Sequence, residues 1–425
     1  MNFNNTATSA CAKTIHQHII SHHKKVAEWF ESKRSGKCFP IYSSFDLRDS
    51  GFKVAPVDAN IFPAGFNNIC PADFEEACQT MERYLEGRYK GALKRVALLT
   101  EEHTSNRFYW DNVHSLASIL RASSVEVRVC IPKSFKGVTV LESAAGHKIE
   151  VYPSQSTAGK LIIGEDWAPD LVVSNNDFSD PHNEWAADLE VPFNPARELG
   201  WYNRKKSEHF KYYNQLAAEL CKLVDLDPWY LTVRSELVEN FDASSDERLQ
   251  SLADTVDNMI EAMNEDYRRQ RVDSKPTVFI KNNAGTYGLA VIKVESGSEV
   301  LEWNSKTRKK MQAAKGASTV TSLLVQEGIP SVIKADLGET AEPVIYMIGC
   351  SVVGGFLRTH KDKNETESLN SPGAVFKKLC MSDLIVNEAG LPVENVYGWA
   401  ARLGSLAIGE EIEALKLQFS GYCTQ

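Results

Sequence analysis

Lysine and glycine residues in the segment 276–294 have the spacing of a phosphate-binding hairpin. The segment reads PTVFIKNNAGTYGLAVIKV, in which Lys281 ends one predicted strand and a polar loop with Gly285 and Gly288 leads to the next. Glycine lets main-chain N–H groups approach phosphate oxygens, and the lysine adds positive charge. The loop is neither a Walker A sequence nor a G-x-G-x-x-G sequence. An ordinary glycine hairpin without a ligand has the same pattern, so both interpretations stay open.

Oxygen donors and another cation follow in the C-terminal third. A predicted strand reads LLVQEGIP, and the hairpin predicted after it ends with Arg358. The next loop carries three oxygen-bearing side chains, Glu365, Glu367 and Asn370. Carboxylates and an amide beside a triphosphate could bind Mg²⁺, which prefers oxygen ligands and bridges phosphates. The alternative is an acidic surface loop without a ligand.

A third group of candidates lies in the segment 38–70, where aromatic and β-branched residues alternate with polar ones. Its arginine, carboxylates and amides could bind a zwitterionic amino acid, with the guanidinium on the carboxylate and an acid on the ammonium. The candidate substrate-binding residues are Asp46, Arg48, Asp58, Asn60 and Asn68. The same residue types also form Asx-turns, and the arginine could simply pair with a neighbouring aspartate.

Strands that alternate with helices predict the framework that positions these groups. Helices are expected at 12–34, 71–90, 111–122 and within 198–270, and strands at 94–100, at 125–131 and from 171. This alternation favours a mainly parallel sheet, in which ligands bind beyond the carboxyl ends of the strands. The loop after Leu99 and the residues after Val173, among them Asn175 and Asp177, are therefore added as candidates. A plain turn after each strand is the alternative.

Composition narrows the class of protein. The 425 residues include 47 Lys and Arg against 56 Asp and Glu, which gives a net charge of −9. An acidic chain is a poor candidate for general nucleic-acid binding, and the apolar runs are far shorter than the roughly 20 residues a bilayer requires. Because the N-terminus has no secretory pattern, we expect a cytoplasmic protein. The nine Cys are accordingly predicted to be reduced, mostly buried thiols.

The order of these motifs resembles that of the ATP-grasp ligases, in which two α+β halves hold ATP between them. The resemblance implies two catalytic residues: Lys281, a strand-end residue with a solvated ammonium, would contact the phosphates, and Arg358 would hold the transferred phosphoryl group. It also implies a glycine lid at 283–288, an adenine hinge at Gln326 and Glu327, and Mg²⁺ ligands in Glu365, Glu367 and Asn370. The implied ATP-binding residues are Lys206 (or Lys205), Lys281, Asn283, Gly285, Gly288, Gln326, Glu327 and Ile329.

Three segments carry a narrower resemblance. They are YSSFDLRDSGFKVAPVDANIFPAGFNNI at 42–69, SNNDFSD at 174–180 and FIKNNAGTYGLAV at 279–291. Together they resemble the ATP-grasp type of glutamate–cysteine ligase of proteobacteria. This resemblance implies an enzyme that uses ATP and Mg²⁺ to convert the γ-carboxylate of L-glutamate to an acyl phosphate. The amine of L-cysteine then accepts the acyl group, which is the first step of glutathione synthesis.

The metal ligands are where the sequence departs from the ATP-grasp pattern. That pattern has an Asp on one strand and Glu-x-Asn on the next, whereas two residues separate Glu367 from Asn370 here. Asp336, Glu339 and Glu342 are therefore alternatives for a magnesium ligand.

The expected fold class combines α/β and α+β. A mainly parallel N-terminal domain at 1–197 would precede an ATP-grasp region, with a helical start at 198–275, a core and lid at 276–385 and a C-terminal helix at 386–425. The expected partners are L-glutamate, L-cysteine and ATP, with no nucleic acid or membrane, and a homo-oligomer is left open. Two alternative functions also stay open: another carboxylate–amine ligase, such as glutathione synthetase, and a non-catalytic nucleotide-binding protein.

Overall fold

Three larger sheets and two small hairpins, covered by helices, give the described part of the chain a mixed α/β architecture. The computed structural model describes residues 9–102, 105–285, 291–312, 320–388 and 391–417. The strands are β1 (Ser43–Asp49), β2 (Val54–Asn60), β3 (Arg95–Leu99), β4 (Glu126–Cys130), β5 (Thr139–Glu142), β6 (Lys148–Tyr152), β7 (Ser154–Thr157), β8 (Lys160–Ile163), β9 (Leu171–Ser174), β10 (Phe193–Asn194), β11 (Ser235–Glu239), β12 (Val278–Asn282), β13 (Val291–Val294), β14 (Ser322–Glu327), β15 (Thr340–Ile348), β16 (Ser351–His360), β17 (Val375–Leu379), β18 (Ile385–Glu388) and β19 (Leu391–Glu394). The helices are α1 (Ala10–Ser21), α2 (His23–Arg34), α3 (Phe74–Tyr89), α4 (Arg107–Arg121), α5 (Asn183–Ala186), α6 (Lys206–Leu223), α7 (Asp246–Gln270), α8 (Gly297–Leu301), α9 (Ser305–Gln312), α10 (Met381–Leu384) and α11 (Val396–Ala414).

The first sheet, β10-β9-β3-β4-β6-β5, is the mainly parallel one that the sequence predicts. Only its edge strand β5 runs antiparallel to its neighbour among the described strands. The apolar runs at 96–99 and 171–173 are fully buried, as expected for parallel strands that are covered on both faces. Leu99 pairs with Ser174, so the carboxyl ends of β3 and β9 lie side by side. The loops that follow these two strands therefore meet at one edge of the sheet.

The second sheet, β17-β16-β15-β1-β2, is antiparallel and combines both ends of the chain. Asp46 of β1 pairs with Val344 of β15 on one side and with Asp58 of β2 on the other. Helix α11 lies close against this sheet, since a Cβ at Gly404 would come within 2.3 Å of the Phe45 ring. Residues 43–60 thus share a sheet with residues 340–379, on the far side of the division at 197 expected from the sequence.

The third sheet, β11-β14-β12-β13, is antiparallel and is backed by α7. Leu252 and Val256 of α7 share an apolar cluster with Val278 and Ile280 of β12. The strand–loop–strand pattern predicted at 276–294 is the antiparallel pair β12 and β13. The central part of its loop, 286–290, lies outside the described residues.

The N-terminal helix differs from its prediction. The single helix expected at 12–34 is divided into α1 and α2 at His22, whose backbone leaves the helical region with φ −117° and ψ 18°. Hydrophobic spacing continues across this break, which is why periodicity alone did not reveal it. Within the described ranges, no helix combines the length and apolarity that crossing a membrane requires.

The prediction that the cysteines are reduced is wrong for Cys38, Cys70 and Cys380, which are disulfide-bonded. Cys70 and Cys380 form a disulfide, with Cα atoms 5.0 Å apart and a sequence separation of 310 residues. Next to it, the main-chain N–H of Met381 donates to Asp73 at 2.7 Å. The sheet brings these distant segments together, and no local cysteine spacing could have indicated it. Five other cysteines of the described chain are free thiols.

A buried ion pair connects the last helix to the strand that carries Asp58. Arg204 donates to both carboxylate oxygens of Glu411 in α11, at 2.7 and 3.1 Å, and to the main-chain oxygen of Ala59 at 2.7 Å. The His209 ring nitrogen Nδ1 lies 2.6 Å from the same carboxylate. Burial alone would raise the pKa of Glu411, but the charges of Arg204 and His209 outweigh it and hold the pKa at about 2. This cluster fixes β2 against α6 and α11.

Glu411→Gln should destabilise the protein near neutral pH, because it removes a buried carboxylate whose partners remain. Lowering the pKa from 4.5 to about 2 corresponds to about 3 kcal/mol of unfolding free energy. That stabilisation is present above the unfolded-state pKa and is lost as the pH falls towards the folded-state value. Denaturant unfolding at several pH values should therefore show wild type and variant converging in acid.

Glu413→Gln is the matched control, because Glu413 lies on the same helix with a half-exposed side chain that pairs with Lys37. Its effect should stay below about 1 kcal/mol. An equal loss in the two variants, or a Glu411→Gln deficit that does not change with pH, would contradict the assignment.

Candidate active site

A cavity opens between the second and third sheets, with β1, β2 and β15 on one side and β12 and β13 on the other. We call it the inter-sheet cavity, and it brings together candidates from all three sequence segments. Its lining residues are Asp46, Arg48, Val57, Asp58, Lys206, Phe279, Lys281, Asn282, Gly285, Val291, Ile329, Glu342, Ser368 and Asn370. Apolar side chains from β12, β13 and the end of β14 thus lie beside a group of cations and carboxylates.

A second cavity, the adjoining cavity, shares Asp46 and Asn370 with the first. Its lining residues are Ser44, Asp46, Asn60, Phe62, Pro63, Ala64, Glu101, Tyr109, Asn175, Asp177, Trp201, Val344, Tyr346, Phe356, Arg358, Asn370 and Phe376. It extends from the second sheet to the carboxyl edge of the parallel sheet. The two cavities therefore meet at a common wall of oxygen-bearing side chains.

Lys281 is the central cation of the inter-sheet cavity. The prediction that its ammonium is solvated is wrong: the residue is 9% exposed, and its Nζ donates to Val57 O at 2.8 Å and to Gln326 Oε1 at 2.6 Å. Burial lowers the pKa of Lys281 to about 8, Lys206 and Arg48 act in the same direction, and Asp58 opposes them. Gln326 lies behind the lysine and orients it.

Asp58 and Lys206 form an ion pair that lines the same cavity. Their Oδ1 and Nζ atoms are 2.5 Å apart, and the ammonium lies 4.5 Å from the centre of the Trp201 ring. Burial alone would raise the pKa of Asp58, but Lys206 and Lys281 outweigh it and hold the pKa at about 2. The Lys206 main-chain N–H also donates to Asn283 O, which ties the start of α6 to the loop after β12.

Two arginines and two carboxylates form a buried network between the cavities. Arg358 donates to Asp46 at 2.6 Å and to Glu342 at 2.7 Å, and Arg48 lies 2.5 Å from Glu342. Burial raises the pKa of Asp46, and the charge of Glu342 adds to the effect although Arg358 opposes it. The pKa of Glu342 is lowered, because Arg48 and Arg358 together outweigh its burial.

The side chain of Arg48 has further partners in the loop after β16. Its terminal nitrogens donate to the main-chain oxygens of Glu365 at 3.0 Å and of Glu367 at 2.9 Å. The guanidinium therefore holds this loop through its backbone, and the side chains of Glu365 and Glu367 are directed elsewhere. Glu365 is exposed, and the carboxylate of Glu367 lies 2.9 Å from Lys363.

Other predicted residues lie outside both cavities. Glu327 pairs with the buried Lys53 at 2.5 Å on the far side of β14 from Lys281. The Asn283 side chain accepts a hydrogen bond from the Ser207 N–H at 2.9 Å. Asn68 lies in a short 3-10 turn and is partly exposed. Gly288 lies outside the described residues.

An Asp and an acid-x-Asn sequence, of the kind sought near Asn370, are also present on the N-terminal hairpin. Asp46 of β1 is the direct cross-strand partner of Asp58 in β2, and Asp58-Ala59-Asn60 places the amide two residues further on. Residues two apart in a strand point to the same face, so Asp58 and Asn60 belong to one surface. The sequence analysis assigned these residues to amino-acid binding, because an arginine, carboxylates and amides together could bind a zwitterion.

The loops after β3 and β9 come together at the adjoining cavity. Asn175 and Asp177 follow β9, and Glu101, which the sequence analysis did not single out, follows β3. The Tyr109 hydroxyl donates to Asn175 O at 3.1 Å and accepts from the Glu101 N–H at 3.0 Å. Parallel-strand topology predicted the position of these loops, and the candidates Asn175 and Asp177 line the cavity, whereas Glu101 was missed.

Phe279 is a lining residue that strand parity could have identified. It lies two positions before Lys281 on β12 and therefore on the same face. Asn282, Val291 and Ser368 were also missed, whereas Glu342 had been named only as an alternative metal ligand.

The chain matches the family model "GshA: Glutamate-cysteine ligase" over residues 16–412. Among solved structures, it is similar to a protein from Methylobacillus flagellatus KT described as "Putative gamma-glutamylcysteine synthetase". The identity is 31%, the match covers 96% of this chain and 98% of the other, and the TM-score is 0.83. No curated protein matches the chain.

Two further solved structures are more distant. A glutathione synthetase-like effector from Globodera pallida has 10% identity over 87% of this chain and 84% of its own, with a TM-score of 0.40. D-alanyl-alanine synthetase A from Vibrio cholerae has 12% identity over 76% of this chain and 81% of its own, with a TM-score of 0.35. At these scores, neither likeness bears on the fold of this chain.

Proposed function

The chain belongs to the glutamate–cysteine ligase family, and we propose that its two adjoining cavities form the active site of that ligase. The enzyme joins the γ-carboxylate of L-glutamate to the amine of L-cysteine and consumes ATP. In this proposal the inter-sheet cavity binds ATP and the adjoining cavity binds amino acid. The common wall at Asp46 and Asn370 carries the proposal, because it lets a carboxylate in one cavity meet a phosphate in the other.

The cavities suit the two kinds of substrate. Phe279, Val291 and Ile329 offer an apolar surface for a nucleotide base, and Lys281 and Lys206 offer charge for its phosphates. Gly285 lines this cavity after β12, and a glycine there permits close approach of a phosphate to the backbone. The second and third sheets would then be the two halves that hold ATP. This division assigns the N-terminal hairpin of β1 and β2 to the ATP-binding unit. We also propose that the enzyme is cytoplasmic.

Amide formation from a carboxylate needs activation, because an oxide ion is a poor leaving group. The γ-carboxylate oxygen of glutamate attacks the γ-phosphorus of ATP, the bond to the bridging oxygen breaks, and ADP leaves. In this proposal, Lys281 of the inter-sheet cavity and Arg358 of the adjoining cavity offset charge on the transferred phosphoryl oxygens. The cysteine amine then attacks the acyl carbon, and phosphate departs with the electron pair of the broken C–O bond. No protein nucleophile is required.

The oxygen donors beside Lys281 fit a magnesium ion, which the resemblance implies. Carboxylates and amides that line the cavities supply the hard ligands this ion prefers. The proposed ligands are Asp46, Asp58, Asn60, Glu342 and Asn370. Bound there, Mg²⁺ would offset negative charge on the ATP phosphates. This set replaces Glu365 and Glu367, whose backbone rather than side chains contacts the network through Arg48.

Product analysis with defined amino-acid pairs tests the function. Glutamate plus cysteine should give equal amounts of ADP, phosphate and γ-glutamylcysteine. With hydroxylamine in place of cysteine, glutamate and ATP should give γ-glutamyl hydroxamate, because the acyl phosphate reacts with any strong amine nucleophile. Turnover with γ-glutamylcysteine plus glycine but not with glutamate would identify a glutathione synthetase instead. ATP binding without turnover would identify a non-catalytic protein.

Lys281→Met should lower kcat by about 100-fold or more, because a buried cation near the transferred phosphoryl group is lost. The thermal unfolding midpoint should fall little, since the methionine fills the same space. Steady-state ADP release measures the effect. Lys275→Met is the control: Lys275 is exposed, pairs with Glu295 and should keep full activity. A Lys281→Met enzyme with normal kcat would exclude a role at the phosphates.

Asp58→Asn should raise the Mg²⁺ concentration needed for half-maximal activity by about 10-fold or more, because a neutral amide binds the ion less well than a carboxylate. Glu365→Gln should leave that concentration unchanged. Activity titrated with Mg²⁺ at saturating ATP compares the two. A raised Mg²⁺ requirement for Glu365→Gln together with an unchanged one for Asp58→Asn would instead support a metal site in the loop after β16.

A further inference from the structure

Phe376 of β17 is an aromatic side chain that the fold leaves partly uncovered in a cavity. It is 47% exposed and lines the adjoining cavity. Single exposed apolar residues are common on protein surfaces, but an aromatic ring in the wall of a cavity offers a contact surface for an apolar part of a ligand. Neither the phosphate assignment nor the metal assignment uses this ring.

The strand register places the ring beside Arg358. Phe376 is the direct cross-strand partner of Arg358 in β16, and both residues line the adjoining cavity. Directly opposite residues of an antiparallel pair lie on the same face of the sheet, with Cβ atoms about 4.5–5.5 Å apart. The ring is therefore next to the residue that we propose for the transferred phosphoryl oxygens.

A neighbouring aromatic ring fixes the orientation of Phe376. Its ring centroid lies 5.0 Å from that of Phe356, and the ring planes meet at 69°, which is the favourable edge-to-face arrangement. Phe356 is buried, and its ring centroid lies 5.7 Å from that of Tyr346. These three residues all line the adjoining cavity, and we call them the aromatic strip. The strip presents one ordered apolar surface, of which Phe376 is the exposed end.

The aromatic strip suits the side chain of cysteine better than it suits glutamate. Glutamate carries charged groups at both ends, and its only apolar part is the methylene chain between them. Once the amine and carboxylate of cysteine are bound, one methylene and a thiol are left, and this group behaves as a small, polarisable hydrophobe. Because sulfur contacts with aromatic rings are favourable, the exposed ring is matched to the acceptor amino acid.

The reaction brings the acceptor to the position of this ring. The acceptor amine must reach the acyl carbon beside the transferred phosphate, which the proposed function places near Arg358. The side chain of the acceptor is attached to the carbon that bears this amine, so it comes within reach of Phe376. Serine would place a hydroxyl there and exchange water for a surface that offers no strong hydrogen bond. An aromatic surface at this position therefore favours the thiol over the hydroxyl.

We infer that Phe376 contacts the thiol side chain of cysteine and selects this acceptor over serine. The inference rests on the proposed function, which assigns the adjoining cavity to amino acid and the phosphoryl oxygens to Lys281 and Arg358. It adds a specificity-determining residue to the acceptor side of the site. The ring takes no part in phosphoryl transfer, so its loss changes the choice of acceptor while the acyl phosphate still forms.

Competition between cysteine and serine in one reaction tests the inference, because both acceptors meet the same acyl phosphate. The ratio of γ-glutamylcysteine to γ-glutamylserine, formed in a large excess of serine, measures the selectivity. For Phe376→Ala we expect this selectivity to fall about 10-fold and the KM for cysteine to rise by a similar factor, as for the loss of one apolar contact. The KM values for glutamate and ATP should stay within about twofold.

Phe376→Leu is a second variant, which keeps an apolar side chain but lacks the ring. Its selectivity should fall about threefold, between wild type and Phe376→Ala. Val375→Ala is the matched control, because Val375 is the adjacent residue of the same strand, is 55% exposed and points to the opposite face. Val375 is not among the described residues that line either cavity, so this variant should keep the wild-type ratio.

Each other outcome decides against the inference. An unchanged product ratio in Phe376→Ala, with normal wild-type turnover, would overturn the assignment alone. Thermal unfolding shows whether that variant folds, and if it does not, an unchanged ratio in Phe376→Leu has the same meaning. A raised KM for glutamate with an unchanged ratio would assign the ring to the donor, and an equal change in Val375→Ala would show a general effect of β17. A wild-type enzyme that forms no γ-glutamyl product from glutamate and cysteine would overturn the proposed function and this assignment together.

Discussion

The site depends on a buried pairing of two arginines with two carboxylates. Arg358 binds Asp46 and Glu342, and Arg48 binds Glu342 together with the backbone of the loop after β16. Removing one member of such a network leaves a buried charge unpaired, which costs about 3–5 kcal/mol. Because its members come from β1, β15 and β16, this one set of contacts fixes both the strand register and the wall common to the two cavities.

On the proposed assignment, the wall at Asp46 and Asn370 separates two sites of different chemical character. The inter-sheet cavity, the proposed nucleotide site, has apolar side chains and two lysines, whereas the adjoining cavity, the proposed amino-acid site, has amides, aromatic rings and carboxylates. Phosphoryl transfer requires the two substrates to meet within bonding distance and water to be kept away. In the proposed enzyme, the packing of the second sheet against the third and of its loops against the parallel sheet would bring the two substrates together, so no protein nucleophile is needed.

Local patterns in the sequence identified the parts of the site that are local. The Lys281 hairpin and the loops after β3 and β9 follow from strand ends and glycine positions, and the structure has them where they were expected. Pairing between strands that are distant in the sequence could not be predicted from local patterns, because nothing near Asp58 indicates that β1 will pair with β15. The disulfide between Cys70 and Cys380 was missed for the same reason, and the burial of Lys281 because Val57 approaches from β2.

The membership of β1 and β2 in a sheet with β15 has a consequence for synthesis of the protein. Asp46 and its partner Arg358 are 312 residues apart, so the ribosome must translate most of the message before the pair can form. Until then the nascent hairpin exposes an unpaired strand edge, and Asp46 has no Arg358 to pair with. The parallel sheet can fold first, but the proposed substrate-binding site cannot form until the last fifth of the chain has been synthesised.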